Sequence, residues 1–134
     1  YLRKFHSNNL DWDRIFYIGQ VPHSILRNVY QISAAHVYLS YPFVLSWSML
    51  EAMSCGALVL ASDTEPVREV ITDKKNGLLV PFKDHEMLAT MLNEAVNSRH
   101  RFQELRKNAR NTIITNYKLD LCINKQIQII NSLA

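Results

Sequence analysis

The stretch of this sequence best suited to chemistry follows an apolar run near residue 40. Tyr41-Pro42-Phe43-Val44-Leu45-Ser46-Trp47-Ser48 leads into a pattern of helical spacing, so a helix is expected to begin near Ser46. The free N–H groups and the positive dipole end of a helix N-terminus suit a phosphate, and Ser46 and Ser48 add hydroxyl groups. Glu51, one turn further on, could accept hydrogen bonds from ribose hydroxyls. These residues predict a site for a phosphorylated, ribose-containing ligand.

Glu51 also has a purely structural interpretation. Ser48-x-x-Glu51 has the spacing of a capping box, in which the glutamate accepts a hydrogen bond from the backbone N–H of Ser48. The spacing alone favours the cap, but it does not distinguish a cap from a ligand-binding residue. Both interpretations stay open at this point.

Other residues carry weaker signals. Glu65 and Glu69 could form a carboxylate pair, although a solvated face that compensates the helix dipole is the simpler interpretation. Trp47 could stack on a sugar or a base, but a large aromatic residue beside Leu45 is typical of a core. His23 could touch a ligand, but a histidine without an evident partner is more simply a solvated turn residue.

Composition limits the class of protein. Of the 134 residues, 48% are hydrophobic and 20% are charged, which predicts one folded domain. The net charge of +3 is compatible with an anionic ligand or an anionic membrane surface, whereas the scattered basic residues argue against nucleic acid. Cys55, Cys122 and the histidines lack ligand spacing, so we expect no metal site. Dinucleotide and P-loop motifs are absent from the sequence, and no cofactor is expected.

The elements that must position these residues alternate between apolar runs and helical patterns. The alternation predicts an α/β fold with a Rossmann-like parallel sheet flanked by helices. We expect Ser24 and Asp84 to cap helix N-termini and Gly56 to end the helix that carries Glu51. Ligands of such sheets bind at the carboxyl ends of the strands, where residues 19–23, 40–48 and 62–65 would lie. The predicted strands are 14–19, 36–40, 57–61 and 78–81.

The central part of the sequence resembles the donor-site motif of group 1 (family 4) glycosyltransferases. In that motif a Pro-Phe loop precedes Leu-Glu-Ala-Met-Ala-Cys-Gly and an apolar strand. This chain has Pro42-Phe43, then Leu50-Glu51-Ala52-Met53-Ser54-Cys55-Gly56, then Ala57-Leu58-Val59-Leu60-Ala61. The flanking segments 16–23, 65–71 and 76–80 agree with the family in order and spacing, so the resemblance covers nearly the whole chain.

The resemblance implies a retaining enzyme of the GT-B type, which has a pair of Rossmann-like domains and a cleft between them. Residues 1–134 would be a partial C-terminal domain that binds a nucleotide sugar, with the N-terminal acceptor domain and the first strands absent. The enzyme would transfer a hexose from a UDP-, GDP- or ADP-sugar to a glycan, lipid or small-molecule acceptor. It would need no metal and would be cytoplasmic or peripheral at the inner face of the membrane. The chain alone would be inactive.

The resemblance also assigns roles to residues. Glu51 becomes the ribose-binding glutamate, which displaces the capping interpretation. The residues that would face the donor sugar and diphosphate are Phe43, Val44, Leu45, Ser46, Trp47 and Ser48. The residues that would border the base are Gln20, Val21 and Pro22.

One departure from the family concerns an earlier glutamate. In the E-x7-E pattern it would fall on Phe43, and Tyr41 stands where a Glu-Pro-Phe pattern would place it. Three alternatives stay open: a non-catalytic nucleotide-sugar-binding relative, another GT-B enzyme such as an epimerase, and a flavodoxin-like regulatory domain with Asp63 as its phosphoacceptor. An unpaired sheet edge and an apolar last helix further predict that the isolated chain self-associates.

Overall fold

The computed structural model describes residues 11–41 and 45–133. In this part of the chain, helices surround a three-stranded parallel sheet with the order β1-β2-β3, as the sequence predicted. The elements are α1 (His23–Ile32), β1 (His36–Tyr38), α2 (Trp47–Ser54), β2 (Val59–Ser62), α3 (Glu65–Arg68), β3 (Leu78–Val80), α4 (His85–Asn97), α5 (Gln103–Asn116) and α6 (Leu119–Ser132).

The central strand β2 is apolar because it is covered on both faces. Its residues pair with β1 on one side, for example His36 with Val59, and with β3 on the other, for example Leu60 with Leu78. All residues of β2 are buried. A separate apolar cluster packs on each face of the sheet, and together they bury more than a dozen side chains. Each buried Leu, Val or Met contributes about 1.5–3 kcal/mol relative to an exposed one, so the core around β2 anchors the site above it.

The predicted helix ends are mostly confirmed. The side chain of Asp84 accepts a hydrogen bond from the N–H of Met87 at 2.8 Å and so caps α4. Gly56 has a φ of +72° just after α2, a conformation that favours glycine. The prediction for Ser24 is wrong, because α1 begins at His23 with Pro22 as its N-cap. The carbonyl of Pro22 accepts the N–H groups of the first turn, which places Ser24 inside the helix.

The predicted first strand, residues 14–19, is not formed. A 3-10 turn occupies Trp12–Arg14, and the following residues run on without a strand to Gly19. The side chains of Phe16 and Tyr17 are 83% and 81% exposed. An apolar run becomes a strand when a neighbour pairs with its backbone and covers one face, and no described segment does so here.

The other predicted elements are present with small shifts. The predicted strand 36–40 ends at Tyr38, and the predicted strand 57–61 runs instead from Val59 to Ser62. The helix that begins after Thr64 ends at Arg68 rather than near Ile71. Strand ends of this kind depend on which neighbour pairs with them, which the apolar pattern alone does not encode.

The last helix, α6, has no buried residue. Its largest apolar side chains are exposed, among them Ile123, Ile127, Ile129 and Ile130. On the sheet, the outer edges of β1 and β3 have no partner strand among the described residues. These are the surfaces from which self-association was predicted, and self-association stays a prediction. In residues 11–41 and 45–133, no helix combines the length and the apolar character needed to cross a bilayer.

Candidate functional site

The site is built at the carboxyl end of the sheet, where Ser62 ends β2. The side chain of Ser62 is fully buried, and its Oγ accepts the backbone N–H of Ser40 at 2.7 Å. The same hydroxyl lies 3.1 Å from the carbonyl oxygen of Ser40 and can donate to it. The end of β2 therefore fixes the chain as it leaves β1 and enters the loop before α2.

The N-terminus of α2 is fixed by a hydrogen bond to the side chain of Tyr38, the last residue of β1. The Tyr38 hydroxyl accepts the N–H of Ser46 at 3.0 Å, and Ser46 Oγ accepts the N–H of Ser48 at 3.3 Å. Two of the predicted backbone donors are therefore already satisfied within the protein. The N–H groups of Leu45 and Trp47 have no hydrogen-bond partner within the described part of the chain. N–H groups at this position of a helix N-terminus are suited to binding an anion.

The indole of Trp47 is not part of the core. It is 81% exposed at the first residue of α2, so the core interpretation of this residue is wrong. The alternative, a ring placed to contact a sugar or a base, stays a prediction. Phe43 and Val44, which were predicted to contact the donor, lie outside the described residues.

Glu51 does not form the capping box that its spacing favoured. The N-cap of α2 is Ser46, two residues earlier than the predicted Ser48, and the N–H of Ser48 is already bonded to Ser46 Oγ. The carboxylate of Glu51 instead reaches sideways, with Oε1 3.2 Å from Nε2 of His23. Glu51 keeps 33% of its side chain exposed, so its carboxylate is open to a ligand.

The loop predicted to border a base lies next to Glu51. Gln20, Val21 and Pro22 lead directly into His23, and the turn before them uses Gly19 at a φ of +65°. The contact between His23 and Glu51 therefore brings the predicted base segment and the predicted ribose residue together. This contact joins residues 28 positions apart on different helices. Local spacing gives no sign of this contact, so the solvated character predicted for His23 is confirmed by its 77% exposed side chain, but its partner was not predicted.

The carboxylate of Glu51 also faces α1. Burial raises the pKa of Tyr30 above its ordinary value, and the charge of Glu51 raises it further. Tyr30 is 6% exposed and stays a neutral hydroxyl at physiological pH. Of these two residues only Glu51 keeps exposed side-chain surface, so its carboxylate is the group that can accept hydrogen bonds from the hydroxyl groups of a ligand.

An aromatic pair lies on the other side of this edge. The rings of Tyr41, after β1, and Phe82, after β3, meet edge to face with their centroids 5.5 Å apart. Tyr41 is 73% exposed, so its remaining face is open. The pair spans the end of β2 and places apolar ring surface where the family pattern has a glutamate.

The acidic residues after β2 have structural partners or face solvent. Arg68 donates to both carboxylate oxygens of Asp63, at 2.6 and 2.8 Å. These hydrogen bonds, and the charge of Arg68, hold the pKa of Asp63 below its ordinary value. A carboxylate occupied in this way does not fit the phosphoacceptor of the regulatory alternative. Glu65 and Glu69 are exposed, as expected for a solvated face.

A cavity of about 440 Å³ lies elsewhere, between the end of α3 and α5. Its lining is rich in amides and hydroxyls, including Asn76, Asn108, Thr112 and Tyr117. Asn76 is fully engaged there, because its side chain bonds the N–H of Thr72, the carbonyl of Val70 and the hydroxyl of Thr112. This cavity is therefore braced by structural hydrogen bonds, and of the candidate residues from the sequence its lining includes Glu69.

Known proteins are similar to this chain in sequence and in fold. An uncharacterized glycosyltransferase of Methanocaldococcus jannaschii is 28% identical over 117 residues, which are 87% of this chain and 30% of that protein. The structure of sucrose-phosphate synthase from Thermosynechococcus elongatus matches with a TM-score of 0.84 at 26% identity, over 90% of this chain and 30% of the other. HepE from Anabaena, in complex with UDP-glucose, matches with a TM-score of 0.72 at 21% identity, over 81% and 30%.

The chain spans about a third of the length of these relatives, and the structural matches confirm the predicted Rossmann-like fold of the GT-B type. The family model for glycosyl transferases group 1 matches residues 2–112, which include the helix N-terminus, Glu51 and the base segment. The chain therefore belongs to the group 1 glycosyltransferases.

Proposed function

We propose that this chain is the C-terminal, donor-binding part of a retaining glycosyltransferase that transfers a hexose from a nucleotide sugar. The observation that carries the proposal is the position of Glu51. Its side chain is one-third exposed, and its carboxylate lies between the segment that leads into His23 and the N-terminus of α2, at the carboxyl end of a parallel sheet. That edge is where open α/β sheets bind their ligands.

Each part of a nucleotide sugar finds a chemically suitable group. The carboxylate of Glu51 accepts hydrogen bonds from the ribose, and the segment Gln20 to Pro22 borders the base. The N–H groups of Leu45 and Trp47, together with the dipole of α2, face the diphosphate. Because the sugar–phosphate bond breaks with negative charge developing on the diphosphate, donors fixed at that point lower the barrier.

The similarity to a protein solved with UDP-glucose makes a UDP-hexose the first donor to test. The acceptor, a glycan, a lipid or a small molecule, would be held by an N-terminal domain across the cleft. The exposed rings of Tyr41 and Trp47 would contact the hexose, Tyr41 from a position where a Glu-Pro-Phe pattern has a glutamate.

Calorimetric titration of UDP-, GDP- and ADP-glucose into the intact protein tests the donor site. One nucleotide should bind selectively, and Glu51→Gln should weaken it about 10- to 100-fold, because a hydrogen bond to a charged acceptor is worth about 1.5–3 kcal/mol. Glu86→Gln, on the exposed first turn of α4, is the matched control and should bind normally. Equal binding by Glu51→Gln and the wild type would remove Glu51 from the site.

The reaction itself is tested by following the donor that binds. With an acceptor present, nucleoside diphosphate should be released, and NMR of the product should show the anomeric configuration of the donor. An inverted product would overturn the retaining mechanism. A bound donor that is never consumed with any class of acceptor would favour the non-catalytic alternative.

A further inference from the structure

The contribution of His23 to the stability of the fold is too small to explain its contact with Glu51. Its side chain is 77% exposed at the first residue of α1, and its recorded side-chain contact is the one with Glu51 at 3.2 Å. Exposed ion pairs and hydrogen bonds of this kind add little to the stability of a protein. A role for His23 has to be sought in what it does to Glu51.

The chemistry of the contact fixes the proton. A carboxylate only accepts hydrogen bonds, so Nε2 of His23 must carry the hydrogen that lies between the two groups, whether the ring is neutral or charged. The bond occupies one lone pair of Oε1. Both oxygens of Glu51 keep further lone pairs for ribose hydroxyls, so a bound ribose and His23 do not exclude each other.

The position of His23 in the chain adds a second effect. It directly follows Pro22, the N-cap of α1, so the ring of His23 is carried by the residue next to the segment Gln20 to Pro22. Glu51 belongs to another helix, α2. The His23–Glu51 contact thus sets the spacing between the base segment and the ribose acceptor. In a nucleoside, the base and the ribose are joined by a single glycosidic bond, so the distance between them is fixed as well.

We propose that His23 is a positioning residue that holds the Glu51 carboxylate at a distance from the base segment that suits a nucleoside. His23 would thereby favour donors through their nucleoside half. This inference rests on the proposed function of the site. An unrestrained glutamate side chain loses about 1–2 kcal/mol of rotamer entropy when it is fixed. Because His23 restrains it before the ligand arrives, that loss is smaller on binding.

The effect of His23 on affinity should require a nucleoside in the ligand. It should also require a side-chain nitrogen at residue 23 that reaches the Glu51 carboxylate. His23→Ala should weaken UDP and UDP-glucose about 3- to 10-fold, the range that one hydrogen bond contributes. Binding of inorganic pyrophosphate, which has no ribose, should not change. His23→Gln should restore tight binding, because its amide nitrogen lies the same number of bonds from the backbone as Nε2. His23→Asn, one carbon shorter, is the matched control and should behave like His23→Ala.

Calorimetry on the intact protein measures these affinities, with melting temperatures recorded for every variant. In a Glu51→Gln background, His23→Ala should have no further effect, since the carboxylate it positions is gone. Four results would overturn the inference: wild-type affinity for UDP in His23→Ala, failure of His23→Gln to recover binding, equal weakening of pyrophosphate, or full additivity with Glu51→Gln. If the wild type itself binds no nucleotide, the proposed function falls and the inference falls with it.

Discussion

Replacing Ser62 by alanine tests how the sheet holds the loop before α2. The hydroxyl of Ser62 is fully buried, and it accepts the N–H of Ser40 at 2.7 Å and lies 3.1 Å from the Ser40 carbonyl oxygen. Ser62→Ala removes one oxygen atom and leaves the shape of the strand unchanged. The N–H of Ser40 then has no acceptor, and the chain leaving β1 loses its anchor on β2.

The size of the effect follows from burial. A typical hydrogen bond contributes about 0.5–1.5 kcal/mol net, and a buried donor left without a partner costs about 1–3 kcal/mol. Ser40 is half-buried, so water replaces part of the lost bond. We therefore expect Ser62→Ala to lower the free energy of unfolding by about 1–2 kcal/mol. The looser loop should also weaken the binding of UDP-glucose to the folded protein.

Urea unfolding measures the stability term, with calorimetry for the ligand. Ser54→Ala is a matched control, because the Ser54 hydroxyl bonds the carbonyl of Glu51 within α2 at 2.8 Å and alanine favours a helix. Its unfolding free energy should change by less than about 0.5 kcal/mol. If Ser62→Ala is as stable as Ser54→Ala and binds donor normally, the buried hydroxyl does not anchor the loop.

Three further substitutions test the surrounding fold. Gly77→Ala should lower the free energy of unfolding by about 1–3 kcal/mol in urea, because its Cβ would lie 2.9 Å from a methyl group of the buried Ile71. Arg106→Met should cost about 1–3 kcal/mol in the same assay, since its guanidinium donates to several carbonyls at the starts of β1 and β2. Asp63→Asn should lower the melting temperature at neutral pH, because the ion pair with Arg68 is lost.

The pH dependence of the last substitution has a definite sign. The pKa of Asp63 is held below its ordinary value in the folded protein, so the ion pair stabilises above the unfolded pKa of about 3.9. That stability is lost as the pH falls through the lower, folded-state pKa. The melting curves of Asp63→Asn and the wild type should therefore converge in acid. A gap that does not narrow as the pH falls below the unfolded pKa would contradict the assigned cause.

Controls separate these effects from general damage. Arg110→Met removes an exposed guanidinium that bonds one carbonyl, that of Ser54, and should cost less than Arg106→Met. Equal losses would mean that the carbonyls at the strand starts do not depend on Arg106. For Gly77→Ala, unchanged stability would show that Ile71 moves freely in the core, contrary to its full burial.

The parts of the fold that could be predicted are those specified locally. Asp84 caps α4 and Gly56 follows α2, because each needs only its own neighbouring turn. The continuous apolar run that forms β2 predicts a strand buried on both faces, and all residues of β2 are buried. The run at 14–19 has a similar apolar character but no neighbour to pair with among the described residues, so the same reasoning fails there.

The candidate site shows the same division. The motif around Glu51 and the predicted base segment were proposed from sequence through the resemblance to the family, and their roles stay predictions. The capping-box interpretation of Glu51 depended on which serine caps α2, and Ser46 rather than Ser48 does so. The ligand-binding role of Glu51 stays a prediction. The partners His23, Tyr38 and Ser62 come from other elements, at separations that no periodic pattern records.

The hydrogen bonds of Arg106 also join segments that are made at different times during synthesis. Its guanidinium completes the hydrogen bonding of Ser33, Ala34 and Gly56, which precede it by 73, 72 and 50 residues. At roughly 5–20 residues per second, synthesis takes several seconds to pass from the first of these carbonyls to Arg106. Parallel strands whose ends await such a distant residue close slowly, and in that interval the nascent sheet is exposed to chaperones and to its neighbours on the polysome.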